Sequence, residues 1–294
     1  MDIHALNAFI TVAEQGSFSA AAEHLFLTQS AVSKRIAQLE SQLDARLFDR
    51  IGRRITLTEA GQALLPRARG ILLQLDDARR AIGNLSGDIS GRLSVAASHH
   101  ISLHRLPPVL RAFSKQYPQV ELDLRFSESE VAYDGILKGE LELALITLAP
   151  VPDDALETHQ VWVDELKFVV ANDHPLAARD TVALQELTGY KAILPGEQTF
   201  TQSRVRQLFD SHGLSLDLAM STNYLDTVRM MVSIGLGWSL LPRTMIGDDL
   251  QVLPVDAVPL SRPLGYIHHR NRTLSNAANA FIQLLTAQTG RMGD

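Results

Sequence analysis

The sequence contains no cysteine, so disulfides and thiolate metal sites are excluded. Aromatic residues make up only 6% of it, and no apolar run approaches the length of a membrane span. The N-terminal residues MDIHALNAFI carry no Lys or Arg ahead of their apolar positions, so they do not read as an export signal, and a cytoplasmic protein is expected. No Gly-x-Ser-x-Gly elbow is present, so nothing marks a serine nucleophile. Positive charge is not in excess either, since the net charge is −6. Taken alone, that balance argues against nucleic acid.

The distribution of charge argues the other way. Residues 1–88 hold 10 Lys+Arg and 10 Asp+Glu, so the whole acidic excess falls in residues 89–294. Within 28–58, Lys34, Arg35, Arg46, Arg50, Arg53 and Arg54 face only Glu40, Asp44 and Asp49. A cluster of this size is commonly just a solvated face and needs a motif to give it meaning.

The stretch Ser17–Leu43 supplies one. Leu6, Phe9, Ile10 and Ala13 predict an amphipathic helix over 2–15, closed by Gly16. Ser17 or Ser19 caps the next helix, whose Ala21 and Ala22 permit close helix crossing. Phe26 and Leu27 make the turn. Thr28 caps a third helix with Val32, Ile36, Leu39 and Leu43 inward, and with Gln29, Ser30, Ser33, Lys34 and Arg35 on the opposite face. Gln and Ser hydroxyls and amides read base edges, while Lys and Arg neutralise phosphates. An exposed polar face with no partner is the ordinary alternative. Beyond it, Ile51–Arg54 reads as a hairpin tip that would carry Arg53 and Arg54 to the DNA backbone or minor groove.

The run AFITVAEQGSFSAAAEHLFLTQSAVSKRIAQLESQLDARLFDRIGRRITLTEAG resembles the N-terminal domain of the LysR-type transcriptional regulators over roughly sixty residues. Ser30 stands where that family often has Pro; both suit the first turn of a helix. The resemblance implies a sequence-specific regulator of promoter DNA. Its partners would be double-stranded DNA, a small-molecule effector, further copies of itself and, if it activates, RNA polymerase.

After Thr58, the residues Leu64, Ala68, Ile71, Leu75, Ala78, Ile82 and Leu85 repeat at spacings of 4 and 3. Such a seam serves either packing on its own domain or pairing with the same helix of a second subunit. The family resemblance implies an antiparallel dimer here and a tetramer overall. Pro66 should bend the helix near its start. Residues 86–91, SGDISG, read as a hinge.

Residues 92–294 alternate strands and helices. The fold class expected is therefore α/β overall: a winged helix-turn-helix (1–58), a linker helix (59–85), and a two-lobed, periplasmic-binding-protein-like effector domain (92–294). Lobe I is placed at about 92–161 and 266–294, and lobe II at about 162–265. Ligands in such lobes bind at strand ends and helix starts facing the crevice. That singles out Ser98, His100, Ile101, Thr147, Thr199 and Thr201 as effector-binding, although each hydroxyl equally suits a helix cap or turn. His99, His100 and His104 have no carboxylate in register, so neither metal nor cofactor is expected. A solute-binding protein would account for the second half alone, and an enzyme with a nucleic-acid module lacks a catalytic constellation. SHHISLHRLPP resembles a proteobacterial subgroup associated with leucine-biosynthesis genes, which points to a small carboxylate as effector.

Overall fold

Asp2 starts the first helix, α1 (Ile3–Gln15), by accepting the Ala5 N–H at 2.7 Å, and Gly16 ends it in the left-handed conformation. Ser17 caps α2 (Phe18–His24), and Thr28 caps α3 (Gln29–Leu43). Strands β1 (Phe48–Ile51) and β2 (Arg54–Leu57) pair antiparallel from Phe48↔Leu57 to Ile51↔Arg54. In a computed structural model, residues 1–51 and 54–289 are described, without the side chains of residues 50, 51, 54 and 289. They form two units, Met1–Ser86 and Gly87–Asp294.

The first unit is built around Phe9, Val12, Ala21, Val32 and Leu39, all fully buried, with the rings of Phe9 and Phe18 set against Phe48. Leu43 does not continue this row. It is 39% exposed, because α3 stops there and Asp44 turns the chain into the left-handed region. Thr58 fastens the start of α4 (Glu59–Asn84): its Oγ1 donates to the Arg46 carbonyl at 2.6 Å and accepts the Gly61 N–H. The helix continues without a break through Pro66.

Gly61 is required where α4 meets the chain leaving α3. A Cβ there would stand 2.2 Å from the Leu47 carbonyl oxygen, a backbone atom that cannot rotate away. Gly61→Ala is therefore expected to destabilise the N-terminal unit by about 2 kcal/mol or more. Urea melts of the wild type and variant check this, and an unchanged midpoint would mean that the backbone there yields freely.

In the second unit β3 (Gly91–Ala97) leads to α5 (His99–His104), α6 (Pro107–Gln116) and β4 (Val120–Phe126). Helix α7 (Ser129–Leu137), β5 (Leu143–Thr147) and the sixteen-residue β6 (Leu156–Ala171) follow. Then come β7 (Val182–Ala183), β8 (Ala192–Leu194), α8 (Phe200–Ser211), β9 (Leu218–Ser221) and α9 (Leu225–Ser233). The chain closes through β10 (Ser239–Pro242), β11 (Leu250–Val252), β12 (Val255–Asp256), β13 (Leu260–His269) and α10 (Asn276–Thr289). The helix expected to start around Pro107-Pro108 is α6, and the short α5 ahead of it is an addition that the sequence reading did not contain. Pro107 lacks an N–H, which suits the first turn of a new helix and not the interior of an old one.

The main sheet runs β10-β6-β13-β5-β3-β4, with β11 also on β6. Strand β3 lies parallel to β4 and β5, whereas β13 is antiparallel to both β5 and β6. Strands β6 and β13 thus carry the chain between two lobes. One lobe packs around Leu93, Val95, Phe113 and Phe281; the other packs around Val205, Phe209, Trp238 and Leu240. Among the described residues, no helix is long and apolar enough to cross a membrane.

Candidate functional sites

The N-terminal end of α3 presents a polar surface held from behind. Val32, Ile36 and Leu39 are buried with 1% exposure or less, so the opposite face is fixed outward. Thr28, Gln29, Ser30 and Lys34 are exposed, and Ser33 and Arg35 are half-buried. Thr28 Oγ1 is already engaged as the cap of Ala31 and lies 3.0 Å from Ser30 Oγ. That leaves Gln29 and Lys34 as the freest donors. Phe26 is 95% exposed with a φ of 53°, an apolar ring presented at the turn between α2 and α3. Arg53 lies outside the described residues, and so does the side chain of Arg54.

The seam of α4 divides into a buried and an exposed part. Leu64 packs on the core of its own unit and Ala68 is fully buried in it. Toward the C-terminal end Ile71, Ile82 and Leu85 are 37%, 70% and 84% exposed.

In the second unit a small cleft of about 60 Å³ lies between the two lobes. Ser98, His100, Thr147, Thr199 and Thr201 all line it. Ile101 does not: it is fully buried in the lobe core beside Phe113, because it points inward from α5 while His100 faces the cleft. Thr199 caps α8, accepting the Gln202 N–H and donating to the Gly196 carbonyl. Among the described residues, the hydroxyls of Ser98, Thr147 and Thr201 make no hydrogen bond and are available to a ligand.

A buried ionic cluster forms the floor. Asp164, on β6, has no exposed side-chain surface. Arg262 donates to its Oδ2 from Nε (3.1 Å) and Nη2 (2.8 Å). Arg105 donates to Oδ1 at 2.9 Å, and His100 Nε2 stands 3.0 Å from Oδ2. Burial pushes the Asp164 carboxyl up, but the hydrogen bond from His100 and the charge of Arg262 outweigh it and hold the group well below the usual carboxylate range. For His100 burial wins. Despite Asp164, the imidazole is held below its ordinary 6.5, with the Arg262 charge acting in the same direction.

At the mouth, α7 reaches across to the other lobe. The Phe200 N–H at the start of α8 donates to Glu130 Oε1 at 2.9 Å, and Asn223 donates to Glu128. His99 packs on Tyr224 with ring centres 4.5 Å apart. A side-chain carboxylate therefore already occupies the positive end of α8.

Asp164, Arg262, Glu128 and Glu130 were not among the sequence candidates. Asp164 left a signal: it shares the inward row of β6 with Leu166, Phe168 and Val170, and an acid in an apolar row needs a partner. The two glutamates left none, since their role depends on which helix faces them.

The depressed values of His100 and His174, both caused first by burial, have a definite sign. The folded state binds fewer protons than the unfolded state between those lowered values and 6.5. Stability is therefore complete above about pH 6.5 and falls as pH drops through that window. Urea melts at about pH 7 and about pH 5.5 are expected to show the lower stability in acid. A flat profile would mean that His100 is charged in the fold.

A DNA-reading helix on one unit and a small-molecule cleft in the other define a ligand-responsive transcriptional regulator. Residues 3–62 match the model of the bacterial regulatory helix-turn-helix protein, lysR family, and residues 86–290 match that of the LysR substrate binding domain. The chain belongs to the LysR family of DNA-binding transcriptional regulators, with an effector-binding domain. It is 69% identical over 108 residues, 37% of this chain and 75% of the other, to an Azotobacter vinelandii HTH-type transcriptional regulator in the ibpB-leuC intergenic region. YfeR of Shigella flexneri is 30% identical over 298 residues, covering 98% of this chain and 96% of that one. Full-length OxyR from Pseudomonas aeruginosa has the same fold, with a TM-score of 0.68 at 22% identity over 98% of this chain and 94% of that chain.

Proposed function

We propose that two copies of this chain pair through α4 and set two α3 helices on a pseudo-palindromic promoter site, and that dimers associate into tetramers. Thr28, Gln29, Ser30 and Ser33 would meet base edges, with Lys34, Arg35, Arg53 and Arg54 on phosphates or in the adjacent minor groove. The exposed start of α3, fixed by a buried opposite face, is the observation that supports this docking. The cleft binds a small organic acid and releases it unchanged, in the cytoplasm, with Ser98, His100, Thr147, Thr199 and Thr201 around it. A carboxylate is favoured because Glu130 already fills the α8 N-terminus with one, and a ligand carboxylate would displace it. Displacement frees α7 from the second lobe, which is how binding would favour one arrangement of the assembly over another. Because the Azotobacter relative lies in an ibpB-leuC intergenic region, a leuC promoter fragment is the first target to try. Contact with RNA polymerase follows if the chain activates that gene.

Gel shift with that promoter fragment tests the reading. Retardation should weaken steeply as salt rises. Gln29→Ala should relax base preference by about 1–3 kcal/mol at one position per half-site. If Gln29→Ala keeps both affinity and preference, α3 is docked wrongly. If no small organic acid raises the melting temperature, the carboxylate assignment fails.

A further inference from the structure

The register of β6 and β13 gathers three metal-ligating side chains on one face of the main sheet: Glu157 and His159 from β6 and, more than a hundred residues on, His268 from β13. His268 lies opposite Glu157, and Tyr266 lies opposite His159, so His159 and His268 are diagonal neighbours. Oε2 of Glu157 stands 3.7 Å from His159 Nε2 and 3.6 Å from His268 Nε2. All three ligand atoms lie within 4.8 Å of one another. In a tetrahedral zinc site, bonds of roughly 2.0–2.2 Å set ligand atoms about 3.3 Å apart. Glu157 therefore needs to move by only a few tenths of an ångström relative to each ring, and the two rings turn toward a common centre. Two imidazoles and one carboxylate are the donor set of zinc sites that keep a position open.

The rings are held for this role. His268 has Nδ1 3.4 Å from the His269 carbonyl oxygen, which leaves Nε2 facing Glu157. A backbone carbonyl on one ring nitrogen is the usual means of orienting a ligating histidine. His159 stacks on Tyr266, with ring centres 4.6 Å and planes 16° apart, and its ring centre lies 5.7 Å from that of His268. The irregular register at Leu264/Gly265 brings the His159 carbonyl against Gly265, where a Cβ would stand 2.0 Å away, and so sets His159 opposite Tyr266. The side chains of His159 and Glu157 are 45% and 43% exposed, which gives an ion a route in.

We propose that Glu157, His159 and His268 bind one Zn²⁺ per chain, with a further position open to water or to a group from another molecule. The site is separate from the effector cleft, whose lining includes none of the three. It ties β6 to β13 beside the point where the chain passes between lobes. Zinc binding to the folded chain alone therefore makes its melting temperature rise with zinc concentration.

The test uses full-length protein stripped with a chelator, titrated calorimetrically with Zn²⁺ alone and optically with Co²⁺. One saturable site per chain is expected, with visible Co²⁺ bands of a tetrahedral centre and a melting temperature that climbs with zinc. His159→Ala and Glu157→Gln, both at accessible positions that leave the core intact, should each weaken Zn²⁺ by at least about tenfold. His99→Ala with His104→Ala should leave it unchanged. No saturable binding, or binding that survives His159→Ala and Glu157→Gln unaltered, overturns the proposal.

Discussion

Asp164→Ala is expected to cost the effector domain about 3–5 kcal/mol, enough to unfold it partly at growth temperature. The reason lies in what remains behind. Arg262, 5% exposed, loses two hydrogen bonds to Oδ2, and Arg105 loses its bond to Oδ1. Two guanidinium groups then face each other and His100 without an anion. Removing one partner of a buried ion cluster is far more damaging than replacing the whole cluster by apolar groups, because the penalty is an uncompensated charge. Asp164→Leu combined with Arg262→Met should accordingly recover much of the loss. Urea melts followed by fluorescence of Trp162 and Trp238 measure both variants. If the double variant is no more stable than Asp164→Ala alone, the cluster stabilises by packing and not by charge pairing. The same cluster offers the ligand something specific: Arg262 and His100 both line the cleft, so an anion entering there meets a guanidinium whose charge is already shared with Asp164. Binding should therefore be stronger in a variant where Asp164 is neutral but the fold survives, such as Asp164→Asn at low temperature.

Much of this molecule was readable from local sequence alone. The caps Ser17, Thr28 and Thr58, the glycine at 16, and the burial of Val32, Ile36 and Leu39 depend on residues three or four positions apart. Helical periodicity and capping chemistry report such spacings directly. The hydroxyls at 98, 147, 199 and 201, which line the cleft, stood out for a related reason, since each lies where a strand or helix begins or ends. What escaped was long-range. Arg262 reaches Asp164 across 98 positions, Glu130 reaches Phe200 across 70, and the His268–Glu157 approach is fixed by strand register. No local pattern encodes those meetings. Ile101 was misplaced because α5 sets successive residues about 100° apart, so that Ile101 turns into the core while His100 faces the cleft, and the sequence reading had no helix there. The long seam of α4 carried a real ambiguity, and the structure divides it: Leu64 and Ala68 stay at home, whereas Ile82 and Leu85 are left facing water.

That division makes Ile82→Asp the sharpest probe of assembly. Ile82 is 70% exposed in the single chain, so the change should leave monomer stability within about 0.5 kcal/mol. In a helix pair the same position is a seam residue, and an aspartate there is desolvated against apolar side chains with no cation in register. Pairing is lost, and each α3 must then bind its half-site alone. A linked pair of modules exceeds the affinity of either one by 10²–10⁴-fold through effective concentration, so promoter affinity should fall by on the order of 10²-fold or more. The salt slope should fall with it, since half the phosphate contacts disappear from the complex. Sedimentation and gel shift read the two effects on the same sample. A monomer that folds normally yet holds its promoter weakly is the expected result. An Ile82→Asp chain that still sediments as an oligomer and keeps full affinity would show that α4 is not the pairing surface, and that the spacing of the two α3 helices is set elsewhere.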